Sequence, residues 1–104
     1  MDERQKEFVR IVNEESVQQP TELSTGEILI WLYFSDIDHL TEVMGKDYLV
    51  ERDVQVSLQS DYICLDIRDM MKYLGIKEEW LDIDHQEKRL ADRIKRGENN
   101  GHNG

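Results

Sequence analysis

One apolar run limits the folds open to this chain. Ile28-Leu29-Ile30-Trp31-Leu32-Tyr33-Phe34 is the longest uninterrupted hydrophobic stretch, bounded by Gly26 and Ser35. A membrane-spanning helix needs about 20 such residues, so the run belongs in a core. Its β-branched and aromatic content and its short span predict a strand buried on both faces. The competing reading is a helix from Ser24 to Met44 opened by a Ser24–Glu27 capping box. The strand is preferred because Gly26 and Ser35 punctuate the run at strand length.

Elements of both kinds flank this segment. Over residues 2–16, Phe8, Ile11 and Val12 form a stripe with the stem of Glu15, the spacing of an amphipathic helix. Pro20, the single proline, pushes Gln19 out of helical backbone, and Pro20 to Gly26 reads as a loop. Ser35 is placed to cap a helix carrying Ile37, Leu40 and Met44, which Gly45 ends in a left-handed conformation. From Tyr48 the period changes, and Val54 to Leu58 alternates as a half-buried strand. Gln59-Ser60-Asp61 turns the chain into a returning strand, Tyr62 to Leu65. Asp66 or Asp69 opens the next helix, with Ile67, Met70, Met71 and Leu74 on one side and Gly75 closing it. Lys77 to Leu81 suits one further turn. Asp84 and Glu87 then suggest a capping box for a last helix running to about Arg96.

These elements predict an α+β domain over residues 1–96. Its sheet is small, mainly antiparallel and of two to three strands, with a hairpin near 53–65 and three to four helices packed against it. Residues 97–104, rich in Asn and Gly, are expected to be a disordered tail. With 104 residues, 38% of them hydrophobic, the chain has apolar material for one modest core. The polar start Met1–Glu7 has no signal-peptide character, and a single cysteine, Cys64, forms no internal disulfide. A cytoplasmic, reduced setting is the expectation.

Charge supplies the functional clue. The net charge is -10, with 23 acidic against 13 basic residues. That balance argues against direct binding to nucleic acid, which rewards cations that displace counterions, and against an anionic membrane surface. The acidity is also uneven. Residues 11–45 contain Glu14, Glu15, Glu22, Glu27, Asp36, Asp38 and Glu42 and neither Lys nor Arg, whereas residues 85–104 are mildly basic. A negative stretch unbroken by cations steers basic partners toward it.

Motifs for chemistry are sparse. Asp-Ile-Asp-His occurs at 36–39 and again at 82–85, but the spacing from the preceding Trp-Leu differs between copies, so this is no periodic repeat. Two carboxylates and an imidazole are metal-ligand types. Both copies nevertheless fall at expected helix starts, where aspartate accepts bonds from free amides, so capping is the preferred reading and no metal site is assigned. His39, His85 and His102 form no His-x-x-x-His pair. Cys64 lies between apolar neighbours and reads as buried and inert. No phosphate-binding glycine loop, no nucleophile elbow and no cofactor motif is present.

The sequence thus points to a non-enzymatic interaction module without cofactor. Its partner surface is Glu14, Glu15, Glu22, Glu27, Asp36, Asp38 and Glu42, and its expected partner is a basic, nucleic-acid-binding protein that it blocks. In size and charge it resembles the small acidic inhibitors of phages and mobile elements, among them DNA-mimic anti-restriction and anti-CRISPR proteins. The alternative is an assembly subunit that forms homo-oligomers through the 28–34 segment and the terminal helices, with acidity serving solubility.

Overall fold

The computed structural model describes residues 1–51, the backbone of 56–59, and residues 61–85. The chain opens with helix α1, Glu3–Arg10, which continues as a wider π-helical turn over Ile11–Glu15. Asp2 and Gln5 form a reciprocal capping box: the Gln5 amide donates to Asp2 Oδ1 at 2.8 Å and the Asp2 amide to Gln5 Oε1 at 2.9 Å. The Gln5 side-chain amide also donates to Leu74 O at 2.8 Å, tying the start of α1 to the far end of a later helix. Phe8, Ile11 and Val12 are fully buried, as their spacing predicts.

Strand β1, Thr21–Glu22, lies where the sequence suggested only loop. It pairs antiparallel with β2, Ile28–Tyr33, through a turn in which Leu23 N–H donates to Glu27 O. The 28–34 run is therefore a strand, as preferred. It is not buried on both faces, because Ile28, Ile30 and Leu32 enter the core while Leu29 and Trp31 are half-buried and Tyr33 is exposed.

A 3-10 turn, Phe34–Asp36, leads into α2, Ile37–Met44. Ser35 is inside that turn and does not cap the helix. Leu40, Val43 and Met44 face inward, and Gly45 ends the helix at φ 106, ψ 149, a positive φ outside the left-handed helical region. Helix α3, Tyr48–Glu51, is a single turn that the sequence pattern did not reveal. Strand β3, Val56–Gln59, pairs antiparallel with β4, Tyr62–Asp66, which gives the expected hairpin.

Helix α4, Arg68–Leu74, has Ile67 rather than an aspartate at its cap. It closes at Gly75 in left-handed geometry, φ 71, ψ 37. A 3-10 turn, Glu78–Trp80, precedes β5, Asp84–His85. Asp84 is thus in a strand and not at a helix start, because Pro20 O and Asp84 N–H make a 2.7 Å bond that recruits this stretch to the sheet edge. The expected last helix and the 97–104 tail lie outside the described residues.

The fold is α+β, and its sheet is larger than the two to three strands expected. Among the described residues, five strands run in the order β3-β4-β2-β1-β5. All neighbours are antiparallel except β1 and β5, which are parallel. The two additional strands have two residues each, too short for an alternating pattern to register in sequence. Helical side chains pack on one sheet face, where Ile30 sits opposite Leu65 and Leu32 opposite Ile63. No described helix is long and apolar enough to cross a membrane.

Candidate functional site: a divided acidic surface

The seven carboxylates that run together in sequence separate into groups in space. Glu15 is well enclosed, with its side chain 13% exposed. Its carboxylate accepts from the Arg10 guanidinium at 2.8 Å and lies 3.1 Å from His39 Nδ1, and Asp36 Oδ1 approaches the same ring nitrogen at 3.9 Å. Arg10 also holds Glu7 in a close two-pronged pair and reaches Glu14 at 3.9 Å. The hydrogen bonds that Arg10 donates to Glu7 and then to Glu15 raise the Arg10 pKa further above its usual range, and the bond from Arg10 lowers that of Glu7. The bond to Glu15, followed by its charge, raises the His39 pKa above the ordinary imidazole value.

Glu27 belongs to a second group. Its carboxylate accepts from the Thr25 hydroxyl, which holds its pKa low, and the nearby Arg68 charge adds to the effect. Arg68 is itself engaged by Asp66 at 2.8 and 3.0 Å. Burial raises the Asp66 pKa, but bonds from the Arg68 side chain and from the Arg68 and Ile28 amides lower it more, so the net shift is downward.

Glu22 forms a third group at the sheet edge. Register sets it opposite His85, and Glu22 Oε1 lies 3.1 Å from His85 Nδ1. Glu78, from the 3-10 turn, stands close enough for the three ligand atoms to lie within 4.8 Å of one another. Glu15, Asp36 and His39 satisfy the same condition. Each histidine of the repeated Asp-Ile-Asp-His motif therefore faces a glutamate from another element, a pairing that local sequence could not reveal.

Asp38 and Glu42 differ from the rest. They are exposed one turn apart on α2, and among the described residues neither makes an ion pair. With Glu14, whose side chain is 66% exposed, they are the carboxylates of the expected set most open to a partner. The side chains that engage the others are Arg10, Arg68, His39 and His85; the sequence draws attention to the two histidines but not to the two arginines. Helical spacing does signal Arg10, four residues before Glu14, whereas the approach of Arg68 to Glu27 depends on the sheet.

The other side of the sheet carries a different surface. Leu29, Trp31 and Tyr33 share it with Cys64 and Tyr62, their opposite numbers on β4 being fixed by register. Tyr33 and Tyr62 meet edge to face at 6.3 Å, and Tyr33 and the following Phe34 stay about half exposed, at 47% and 50%. Cys64 is buried, and desolvation raises its thiol pKa, which keeps it a poor nucleophile. A groove beside α4, lined by Ile28, Met71, Ile76 and Lys72, has Arg68 at its rim. That guanidinium is already held by Asp66. Compared with protein-family models, curated proteins and solved structures, the chain gives no match.

Proposed function

We propose that this chain is a non-enzymatic interaction module that docks through the acidic outer side of α2 onto a basic protein of the nucleic-acid-binding kind and blocks it. The observation that supports this is the exposure of Asp38 and Glu42, which make no ion pair among the described residues. Uncompensated carboxylates keep their full attraction for an incoming Lys or Arg, whereas Glu15, Glu22 and Glu27 must first give up bonds already made. Asp38 and Glu42 are about 6 Å apart along the helix axis, against roughly 3.4 Å per phosphate on one duplex strand. The match is to a compact basic patch rather than to a long nucleic-acid channel.

The test is competition. The tagged chain captures a nucleic-acid-binding partner from nuclease-treated lysate at low salt, and the purified partner is then titrated with DNA and with the chain. The expected result is displacement of DNA by the chain, lost at high salt and lost in the double variant Asp38→Lys, Glu42→Lys. Displacement by the double variant at wild-type strength refutes the reading.

The half-exposed sheet face of Leu29, Trp31, Tyr33 and Tyr62 favours a second reading, assembly through apolar surface. Under it, sedimentation detects a salt-resistant oligomer that Tyr33→Ser dissociates.

A further inference from the structure

We propose that Glu22, Glu78 and His85 form a binding site for one divalent transition-metal ion of the zinc type. The three donors come from three elements. Glu22 and His85 sit opposite each other in the parallel β1–β5 pair, and Glu78 is supplied by the 3-10 turn before β5. Their juxtaposition is therefore a product of the fold and not of helical proximity along the chain.

Distance is the first argument. Glu22 Oε1 and His85 Nδ1 are 3.1 Å apart. Neighbouring donors around an ion bound at about 2.0–2.1 Å in tetrahedral geometry stand roughly 3.3 Å apart, so these two atoms need little movement to share one ion. Glu78 is exposed and lies within 4.8 Å of both, a gap that rotation of its side chain closes.

Charge is the second. The fold draws two carboxylates toward one imidazole, and the Glu15–Asp36–His39 group does the same. There the Arg10 guanidinium, 2.8 Å from Glu15, already supplies the positive charge. At Glu22 the described ion pairs include no lysine or arginine, and the nearby Lys77 ammonium sits over the Trp80 ring at 5.7 Å. Two carboxylates with a neutral imidazole complement a dication. Their oxygen and nitrogen donors suit Zn²⁺, Co²⁺ or Mn²⁺ better than soft Cu⁺ or all-oxygen Ca²⁺.

Support is the third. Asn13 clamps the approach to β5, donating to Trp80 O at 3.1 Å and accepting from the Asp82 amide at 2.8 Å. Leu81 and Ile83 are buried and anchor the same stretch. Three protein donors leave one position of a tetrahedral shell for water.

Isothermal titration of Zn²⁺ into the EDTA-treated, dialysed full chain tests the site. The expected result is one ion per chain with micromolar affinity. His85→Ala abolishes binding, and Glu78→Gln weakens it about tenfold or more while leaving the metal-free melting temperature unchanged. His39→Ala and His102→Ala bind as the wild type does. Absence of binding, wild-type affinity in Glu78→Gln and His85→Ala, or loss of binding in His39→Ala each overturns the proposal.

Discussion

Arg4 makes a sharp test of how the helical layer is held. Its Nε donates to Val43 O at 2.9 Å and a terminal nitrogen to Met44 O at 3.3 Å, so one guanidinium caps the last carbonyls of α2 from the side of α1. The same group lies 5.8 Å from the centre of the Tyr73 ring on α4. Arg4→Met keeps the aliphatic stem and removes all three contacts. A charged hydrogen bond in a dry site is worth about 1.5–3 kcal/mol, but Arg4 is solvent-exposed, and screening reduces each bond to about half a kcal/mol. The charge at a helix C-terminus adds about 0.3–1 kcal/mol and the exposed cation–π contact about 0.5. Because these terms share one side chain, the expected loss is about 2 kcal/mol. Urea unfolding followed by circular dichroism reads it as a midpoint lowered by roughly 1–2 M at an unchanged slope. Arg4→Lys, which keeps the charge but lacks the planar fork, falls between the two. A loss under about half a kcal/mol in Arg4→Met refutes the reasoning, and wild-type stability in Arg4→Lys shows that the fork is irrelevant.

Two further expectations follow from backbone and charge. Gly75→Ala forces an L side chain into left-handed backbone, and since the added Cβ meets only the Gln5 side-chain Nε2 at 3.5 Å, the cost is conformational, about 1–2 kcal/mol by urea unfolding. The His39–Glu15 pair raises the folded-state pKa of His39, so its stabilisation is complete below the unfolded value of about 6.5 and disappears as pH rises through the higher folded value. The stability difference between wild type and His39→Gln is therefore larger at acid than at alkaline pH, and an equal difference at both contradicts the assignment.

What could be read in advance follows a physical rule. The apolar positions of α1, β2, α2 and α4 are legible because each element is long enough for its period to repeat, and Gly75 is legible because left-handed helix ends favour glycine. The short strands were not. Thr21–Glu22 and Asp84–His85 exist because tertiary pairing supplies the hydrogen bonds that local preference does not, and Asp84 therefore serves a strand although its sequence context suggests a cap. The acidic set shows the same limit. A window from 11 to 45 without a cation is a fact about neighbours in sequence, and the fold brings Arg10 to Glu15 and His85 to Glu22. Among the described residues, Asp38 and Glu42 are where the linear reading of unpaired acidity carries through to the surface.

The order of strands in the sheet also bears on how the chain assembles. Two pairings, β1 with β2 and β3 with β4, are hairpins closed by short turns, and nothing but local chain has to be ordered to make them. Joining them through β2 and β4 encloses some thirty residues, and with that join made only residues 67–83 remain to be closed before β5 lies beside β1. Loop entropy therefore favours making each hairpin before the two are joined. β5 pairs over two residues at the sheet edge, so the expected result of hydrogen exchange is a local opening at the Asp84 amide, with the amides of β2 and β4 exchanging only through loss of the whole domain.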